Sequence, residues 1–335
     1  AEEVLRVYGY ENIPVRASFK ASLPQPQHGD AKRALLHRAF DFLAANGFNE
    51  VQNNSLGPAA QATKLFPHLE ANVIPLLSYS NAGLDSLRIN MAMSLLQTVR
   101  HNLNRRQLNL KLFEYGKVYY KHGDAYSESE KLVVLLTGDF TDEHWHTKQV
   151  KSDFYRLKGL MDGLLRMSGY HETGHYQHVE DDEILDSANA VKNRWLRMGK
   201  VKQTLLEAAD VQQPVWLCEI DLLSWVAATV NVKTQFEAPS KFPSVRRDLA
   251  LLIPEDVTFA SVENVARKFG SKQLRDVKLF DVFKDKNKLG DGVKSYAVSF
   301  TFLDDHKTLE EADIDKRMQV LTQQFEQQLN ARIRQ

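Results

Sequence analysis

The sequence has a single cysteine, Cys218, among 335 residues. One thiol excludes a disulfide within the chain and any multi-cysteine zinc site, and it fits a cytoplasmic protein. An excess of either charge is also missing: 43 Lys plus Arg balance 43 Asp plus Glu. That excludes a uniformly basic nucleic-acid binder and leaves room for a local basic patch. No run of about 18 apolar residues occurs, so no stretch reads as a membrane-spanning helix. Phosphate loops of the G-x-x-x-x-G-K-[ST] type, a dinucleotide G-x-G-x-x-G and a G-x-S-x-G elbow are all absent. The 43% apolar and 26% charged residues form an ordinary globular balance that argues against disorder. The length suits two or three domains. The opening residues start mid-pattern without a signal peptide, so the expectation is a piece of a longer chain.

Hydrophobic spacing supplies the outline. Val4, Leu5 and Tyr8 form an apolar stripe on a short helix that Gly9 and Pro14 stop. Pro24 and Pro26 stiffen an extended connector. Asp30 reads as the N-cap of a helix carrying Leu35, Leu36, Ala39, Phe40 and Leu43, with Gly47 at its C-terminal end. Phe48–Gln52 alternates like a strand. Ser86–Leu103 reads as a helix, and Leu110–Tyr120 as a strand with Gly116 at a kink or close approach. Lys131–Gly138 is a buried-strand run, and Phe154–Met167 is a helix. Trp195–Val201 and Val215–Ile220 are late strands. A boundary falls near 237–240. Beyond it the order is strand Asp248–Ile253, helix Phe259–Phe269, strand Leu274–Phe283, a polar hairpin turn, strand Lys294–Phe302, then a long helix. Thr308 is its candidate N-cap and Glu311 stands at capping-box spacing. A last short strand lies around Ala331 and Ile333. This is the β-α-β-β-α-β order of a ferredoxin-like domain, with both helices on one face of a four-stranded antiparallel sheet.

Few residues suggest chemistry on their own. Cys218 sits in an apolar strand pattern and reads as a small buried hydrophobe. His171, His175 and His178 have metal-ligand spacing for a helix, but Gly169 and Gly174 favour a polar loop or strand. The His144-Trp145-His146 signal is equally weak. Glu2 and Glu3 could offer carboxylates to magnesium or simply form a solvated helix end. Basic residues thicken between Arg267 and Lys294, with Phe280 and Phe283 interleaved. Such a stretch could track a phosphate backbone and stack bases, or be a solvated surface diluted by Asp276, Asp281, Asp285 and Asp291.

Taken in order, several motifs resemble the C-terminal part of the beta subunit of bacterial phenylalanine–tRNA ligases. Residues 2–14, EEVLRVYGYENIP, are similar to that family's EEVARIYGYDNIP-type stretch. Leu87-Arg88, then Asn102-Leu103-Asn104-Arg105 and Leu112-Phe113-Glu114-Tyr115-Gly116, resemble its R-T-S-L…N…L-F-E-x-G. Trp145 with Asp153–Gly159 resembles W…D-F-F-D-L-K-G, and Phe242–Ala250 (FPSVRRDLA) resembles the opening of its anticodon-binding domain. The chain departs from the pattern at NMAMSLL, which lacks the family's proline, at Arg156, which replaces an acidic residue, and around Asp186-Ser187-Ala188.

The resemblance implies an α+β fold. Residues 1–16 would be the tail of a preceding domain, and 17–236 a class II synthetase-like antiparallel sheet core that is not catalytic. Residues 237–335 would be a ferredoxin-fold anticodon-binding domain. It implies an alpha subunit that holds the active site and uses ATP, an alpha2-beta2 heterotetramer, and tRNA(Phe) bound near its anticodon. The RNA-binding candidates are then Arg246, Arg247, Lys284, Lys286 and Lys288. Glu2 and Glu3 would be part of a magnesium site completed by residues upstream. The helix from Asp30 and the segment Arg88–Arg105 would be scaffold and contact surface, with Arg88 and Glu114 surviving as isolated charges that serve core or interface packing. No catalytic residue is expected, because Asp221-Leu222-Leu223-Ser224-Trp225 follows the late strand without the glycine and arginine that grip ATP phosphate. Two other readings are a self-sufficient class II-like adenylate-forming ligase and a purely structural interaction protein. The glycine-poor strand weighs against the first, and the basic stretch against the second.

Overall fold

The computed structural model describes residues 2–15, 18, 28–170, 176–230, 232, 236, 238–285 and 289–333. The chain divides into two compact units, Ala1–Tyr170 with His178–Val232, and His171–Gln177 with Lys233–Gln335.

The first unit is built on a seven-stranded sheet. Its order is Asn49–Glu50, Leu110–His122, Ala125–Thr137, Val215–Asp221, Leu196–Lys200, Val191–Lys192 and Gln177–His178. The first pair is parallel, and the pairs from Leu110–His122 to Val191–Lys192 are antiparallel. Side chains alternate across this sheet. Leu112, Val133, Leu135, Val215 and Leu217 meet Leu95, Leu96 and Val99 of helix Ala92–Leu103 on one face. On the other face Phe113 meets Phe40 of helix His28–Ala45, ring centroids 5.4 Å apart. Leu132–Leu136 is buried at every position, which is why it reads as a continuous apolar run. The strand nevertheless begins at Ala125, because its polar first half is held by pairing with Lys117–His122 rather than by burial.

Helix Phe154–Met167 matches its expectation, and Asp153 caps it by accepting from the Arg156 N–H at 2.7 Å. Gly47 has φ 81°, the left-handed end that helix His28–Ala45 needs. That helix starts two residues before Asp30, so Asp30 is its third residue and not its N-cap. Ser86–Leu103 is not one helix. Ser86–Leu87 is a strand held between Leu56–Gly57 and Ile74–Pro75. The helix begins only at Ala92, after the Asn90 side chain accepts from the Met93 N–H at 3.2 Å. Pairing to two neighbours overrides the helical spacing of Leu87. Helix Glu2–Tyr8 stops at Gly9, with Val4 and Tyr8 exposed.

In the second unit the strand order is Leu274–Phe283, Val293–Phe302, Val245–Pro254, Arg332–Ile333, all antiparallel. Helices Phe259–Phe269 and Glu311–Leu329 cover one face. Val262, Val265, Ile314, Leu321 and Phe325 meet Leu251, Val298, Phe300 and Phe302 there. This is the ferredoxin-like arrangement that the element order predicts. Thr308 does not cap the last helix. Leu309 is buried, and Glu310 stays extended at φ −84° and ψ 146°, so the helix starts after it with no side-chain cap. Docking Leu309 into the core determines that start. Among the described residues no helix is long and apolar enough to cross a membrane.

Candidate functional site

The second unit presents its uncovered sheet face. Cross-strand partners share a face, so the register places Arg246 with Thr301 and Asp248 with Ser299 on the open side. Arg247 pairs with the fully buried Phe300 and points to the helix side. The two adjacent arginines therefore part, as strand geometry requires. Arg247 is tied to the last helix, 3.1 Å from Glu311 and 3.9 Å from Asp315. Arg246 donates to both carboxylate oxygens of Asp248, at 2.8 and 3.1 Å. Its guanidinium lies 5.2 Å from the centre of the Phe280 ring, which is 53% exposed. The hydrogen bond to Asp248 raises the pKa of Arg246 and holds it charged.

Much of the basic stretch is paired off. Lys284 binds Glu255 at 2.8 Å, Lys278 binds Asp276 at 2.9 Å and Arg267 binds Glu263 at 3.3 Å. Arg275 pairs with Asp305. Lys294 is buried, donating to the Glu255 carbonyl at 2.7 Å and lying over the Tyr296 ring. Lys286 and Lys288 lie outside the described residues. The sequence reading missed Asp248, although two residues apart on a strand is the spacing that sets side chains next to each other on one face.

In the first unit the charged residues consume one another. Arg88 and Glu114 serve core packing, one of the two roles expected of them, but they are not isolated charges. They form a buried ion pair at 2.7 Å, and Asn53 donates to the second Glu114 oxygen at 2.7 Å. Arg88 also donates to the Lys117 carbonyl at 2.9 Å, so it is part of the core and not of a contact surface. Gly116 is a close approach, since a Cβ there would collide with the Arg88 guanidinium. Arg197 bridges Asp182 at 2.9 Å and Glu219 at 3.2 Å. Burial would lower its pKa, but these carboxylates raise it. Burial, helped by Glu219, pushes the Tyr120 hydroxyl up to about 12.

At the end of strand Val215–Asp221, Asp221 accepts from the Ser224 N–H at 2.9 Å and pairs with Lys131 at 2.9 Å. Burial alone would raise its pKa, yet the bonds from Ser224 and Lys131 bring it down to about 2. The helix that follows thus has its N-terminus filled by the chain's own carboxylate, which opposes phosphate at that position. Cys218 is fully buried, and burial pushes its thiol up.

The remaining candidates stay apart. His178 is exposed on a strand end, and His171 and His175 lie outside the described residues. Trp145 is 90% exposed between His144 and His146. Glu2 and Glu3 are exposed on their helix, each 3.7 Å from Arg6. Among the described residues no three acidic, histidine or cysteine groups converge on a metal position.

A unit on a mostly antiparallel sheet with a self-satisfied charge network, followed in the chain by a ferredoxin-like unit with one open sheet face, defines a two-unit α+β protein. Residues 17–222 match the family model described as phenylalanyl tRNA synthetase beta chain CLM domain, and residues 240–334 match the ferredoxin-fold anticodon binding domain. The chain belongs to the phenylalanyl-tRNA synthetase beta chain family. It is 33% identical over 346 residues to the phenylalanine–tRNA ligase beta subunit of Bacteroides thetaiotaomicron, covering 99% of this chain and 42% of that protein. The corresponding subunit of Porphyromonas gingivalis is 32% identical, with 99% and 42% covered. That of Listeria monocytogenes is 29% identical, with 99% and 41% covered. The chain therefore spans about 42% of the length of the first two relatives. Among solved structures, pyrrolysyl-tRNA synthetase from Desulfitobacterium hafniense aligns with a TM-score of 0.45 and 17% identity, covering 63% of this chain and 74% of that one.

Proposed function

We propose that this chain is the non-catalytic C-terminal part of a phenylalanine–tRNA ligase beta subunit. It assembles with a catalytic alpha subunit that uses ATP, as an alpha2-beta2 heterotetramer in the cytoplasm, and binds tRNA(Phe) near the anticodon. Residues 17–236 act as scaffold and 237–335 as the RNA-binding domain, with 1–16 a tail of what precedes. The observation that carries this reading is the succession of the two family matches over nearly the whole chain. The capped and acid-filled strand–helix junction at Asp221 supports a scaffold role for the first unit. The open sheet face with Arg246 and Phe280 supports RNA contact, since unstacked bases can meet an aromatic ring and a guanidinium.

Of the candidate RNA contacts, Arg246 faces the open side. Lys284 follows strand Leu274–Phe283 of the same sheet, paired with Glu255, and Lys286 and Lys288 lie outside the described residues. Arg247 reaches RNA only if it leaves Glu311. For magnesium, the Glu2 and Glu3 carboxylates are suitable hard donors. Neighbouring helical residues diverge by roughly 100°, and Arg6 competes for both, so the pair does not make a site alone. Its share in a magnesium site depends on ligands upstream in the longer polypeptide.

The test is tRNA(Phe) affinity of the assembled enzyme across a salt series. We expect Arg246→Ala to weaken binding and to flatten the salt slope by about 0.7, the value for one contact to single-stranded phosphate. Lys284→Ala, Lys286→Ala and Arg247→Ala should have smaller effects. If none of the four changes affinity or slope, the RNA assignment of these residues is wrong.

A further inference from the structure

Arg246 reaches Phe280 across the middle strand, because Val293–Phe302 lies between the strands that carry them. The floor beneath is made of the small side chains Ser299 and Thr301, which pair with Asp248 and Arg246 respectively. The guanidinium therefore lies over the sheet with two of its N–H groups on Asp248 and its central carbon over the Phe280 ring. A fork-to-fork arginine–carboxylate pair is the geometry in which phosphate would itself be bound. In this state the charge of Arg246 is paired with Asp248, and the side of the Phe280 ring facing it is occupied. An incoming RNA must supply a phosphate to replace Asp248, and a base to replace Arg246 on the ring.

On the RNA-binding reading above, we infer that Asp248 is a selectivity determinant of the open face, competing with RNA phosphate for Arg246. A strand that offers only backbone charge meets a guanidinium already paired. A strand that places a phosphate and an unstacked base together replaces both contacts of Arg246 at once. Asp248 thus lowers affinity for every RNA and lowers it most for those that cannot fill both positions. It is a positioning residue, acting through Arg246.

The experiment uses the assembled enzyme with transcripts of tRNA(Phe) and of a tRNA with a different anticodon loop, titrated across a salt series. The variants are Asp248→Asn, Asp248→Ala, Arg246→Ala, Phe280→Ala, and Arg246→Ala combined with Asp248→Asn. Asp281→Asn is the control for generic charge, since Asp281 pairs with Ala297 on the same face and makes no bond to Arg246. Melting temperatures identify any variant that has lost its fold, and the two Asp248 variants serve as replacements for each other.

Releasing an exposed ion pair predicts a gain of about two- to fivefold for the non-cognate transcript. The cognate gain should be smaller, so discrimination falls. For the non-cognate transcript the salt slope should steepen by up to about 0.7, the value for the one phosphate contact that Arg246 gains, while the slope for tRNA(Phe), where Arg246 already meets phosphate, changes little. Both changes should vanish in the Arg246→Ala background and should not be reproduced by Asp281→Asn. The inference is overturned if Asp248→Asn leaves affinity and slope unchanged, or if it acts equally without Arg246. Arg246→Ala separates the two readings. If it weakens tRNA binding while the Asp248 variants are silent, the RNA surface stands and the role of Asp248 falls. If Arg246→Ala and Phe280→Ala are both silent, the RNA surface falls, and the role of Asp248 with it.

Discussion

Arg88 and Glu114 lie 26 residues apart in sequence and 2.7 Å apart in the fold. A buried pair of this kind is costly to break from one side, because the remaining charge stays desolvated. Glu114→Ala should destabilise the first unit by about 3–5 kcal/mol, and replacing Arg88 and Glu114 together by Met and Leu should cost less. Urea denaturation compares them, and equal losses would show that the pair is not the source. Asp221 gives a pH signature. Its folded pKa of about 2 lies below the ordinary 3.8. It therefore contributes stability that is present above about pH 4 and is lost as pH falls towards 2. Solvent screening keeps that contribution on the order of 1 kcal/mol. Asp221→Asn should melt lower than the parent at pH 7 and converge with it near pH 2. A constant gap between the two melting curves across that range would contradict the assignment.

Two helix starts in the second unit separate local from tertiary control. Thr258 accepts from the Ser261 N–H at 3.2 Å and caps helix Phe259–Phe269. Thr308 looks as good a cap in sequence, yet the helix it precedes begins at Glu311 without a side-chain cap. Thr258→Ala should cost about 1 kcal/mol, while exposed Thr308→Ala should stay within about 0.5 kcal/mol of the parent. Thermal melts of the two variants decide this, and a larger loss at Thr308 would restore the capping box. Helix Phe154–Met167 and strand Leu274–Phe283 have the bounds expected from their sequence. In each, apolar periodicity and flanking turn or cap residues agree, so local and global preferences coincide.

At the scale of the whole molecule, the first unit has a synthetase-like place in its family and a charge network closed on itself. Arg197, Glu219, Lys131 and Asp221 each have a partner of opposite charge. The purified chain should give no phenylalanine-dependent pyrophosphate exchange. Exchange that is lost on substituting Arg197 or Lys131 would overturn the scaffold reading. Restoration of aminoacylation on adding the alpha subunit and the remainder of the beta chain is the positive counterpart.

The sequence by itself determined the alternation of elements, the ferredoxin-like order after about residue 240 and the buried nature of Cys218. Each of these follows from spacing over a few residues: period two in a strand, three to four in a helix, glycine where a helix must end. The tertiary structure decided what each charge faces. Arg247 meets Glu311, Lys284 meets Glu255 and Arg88 meets Glu114, partners that no local pattern specifies because strand register and helix docking bring them in from far along the chain. It also shortened the helix after Ser86 and delayed the one after Thr308. Pairing of Ser86–Leu87 with two strands, and burial of Leu309, outweigh the small free energies by which helix spacing and capping residues act alone.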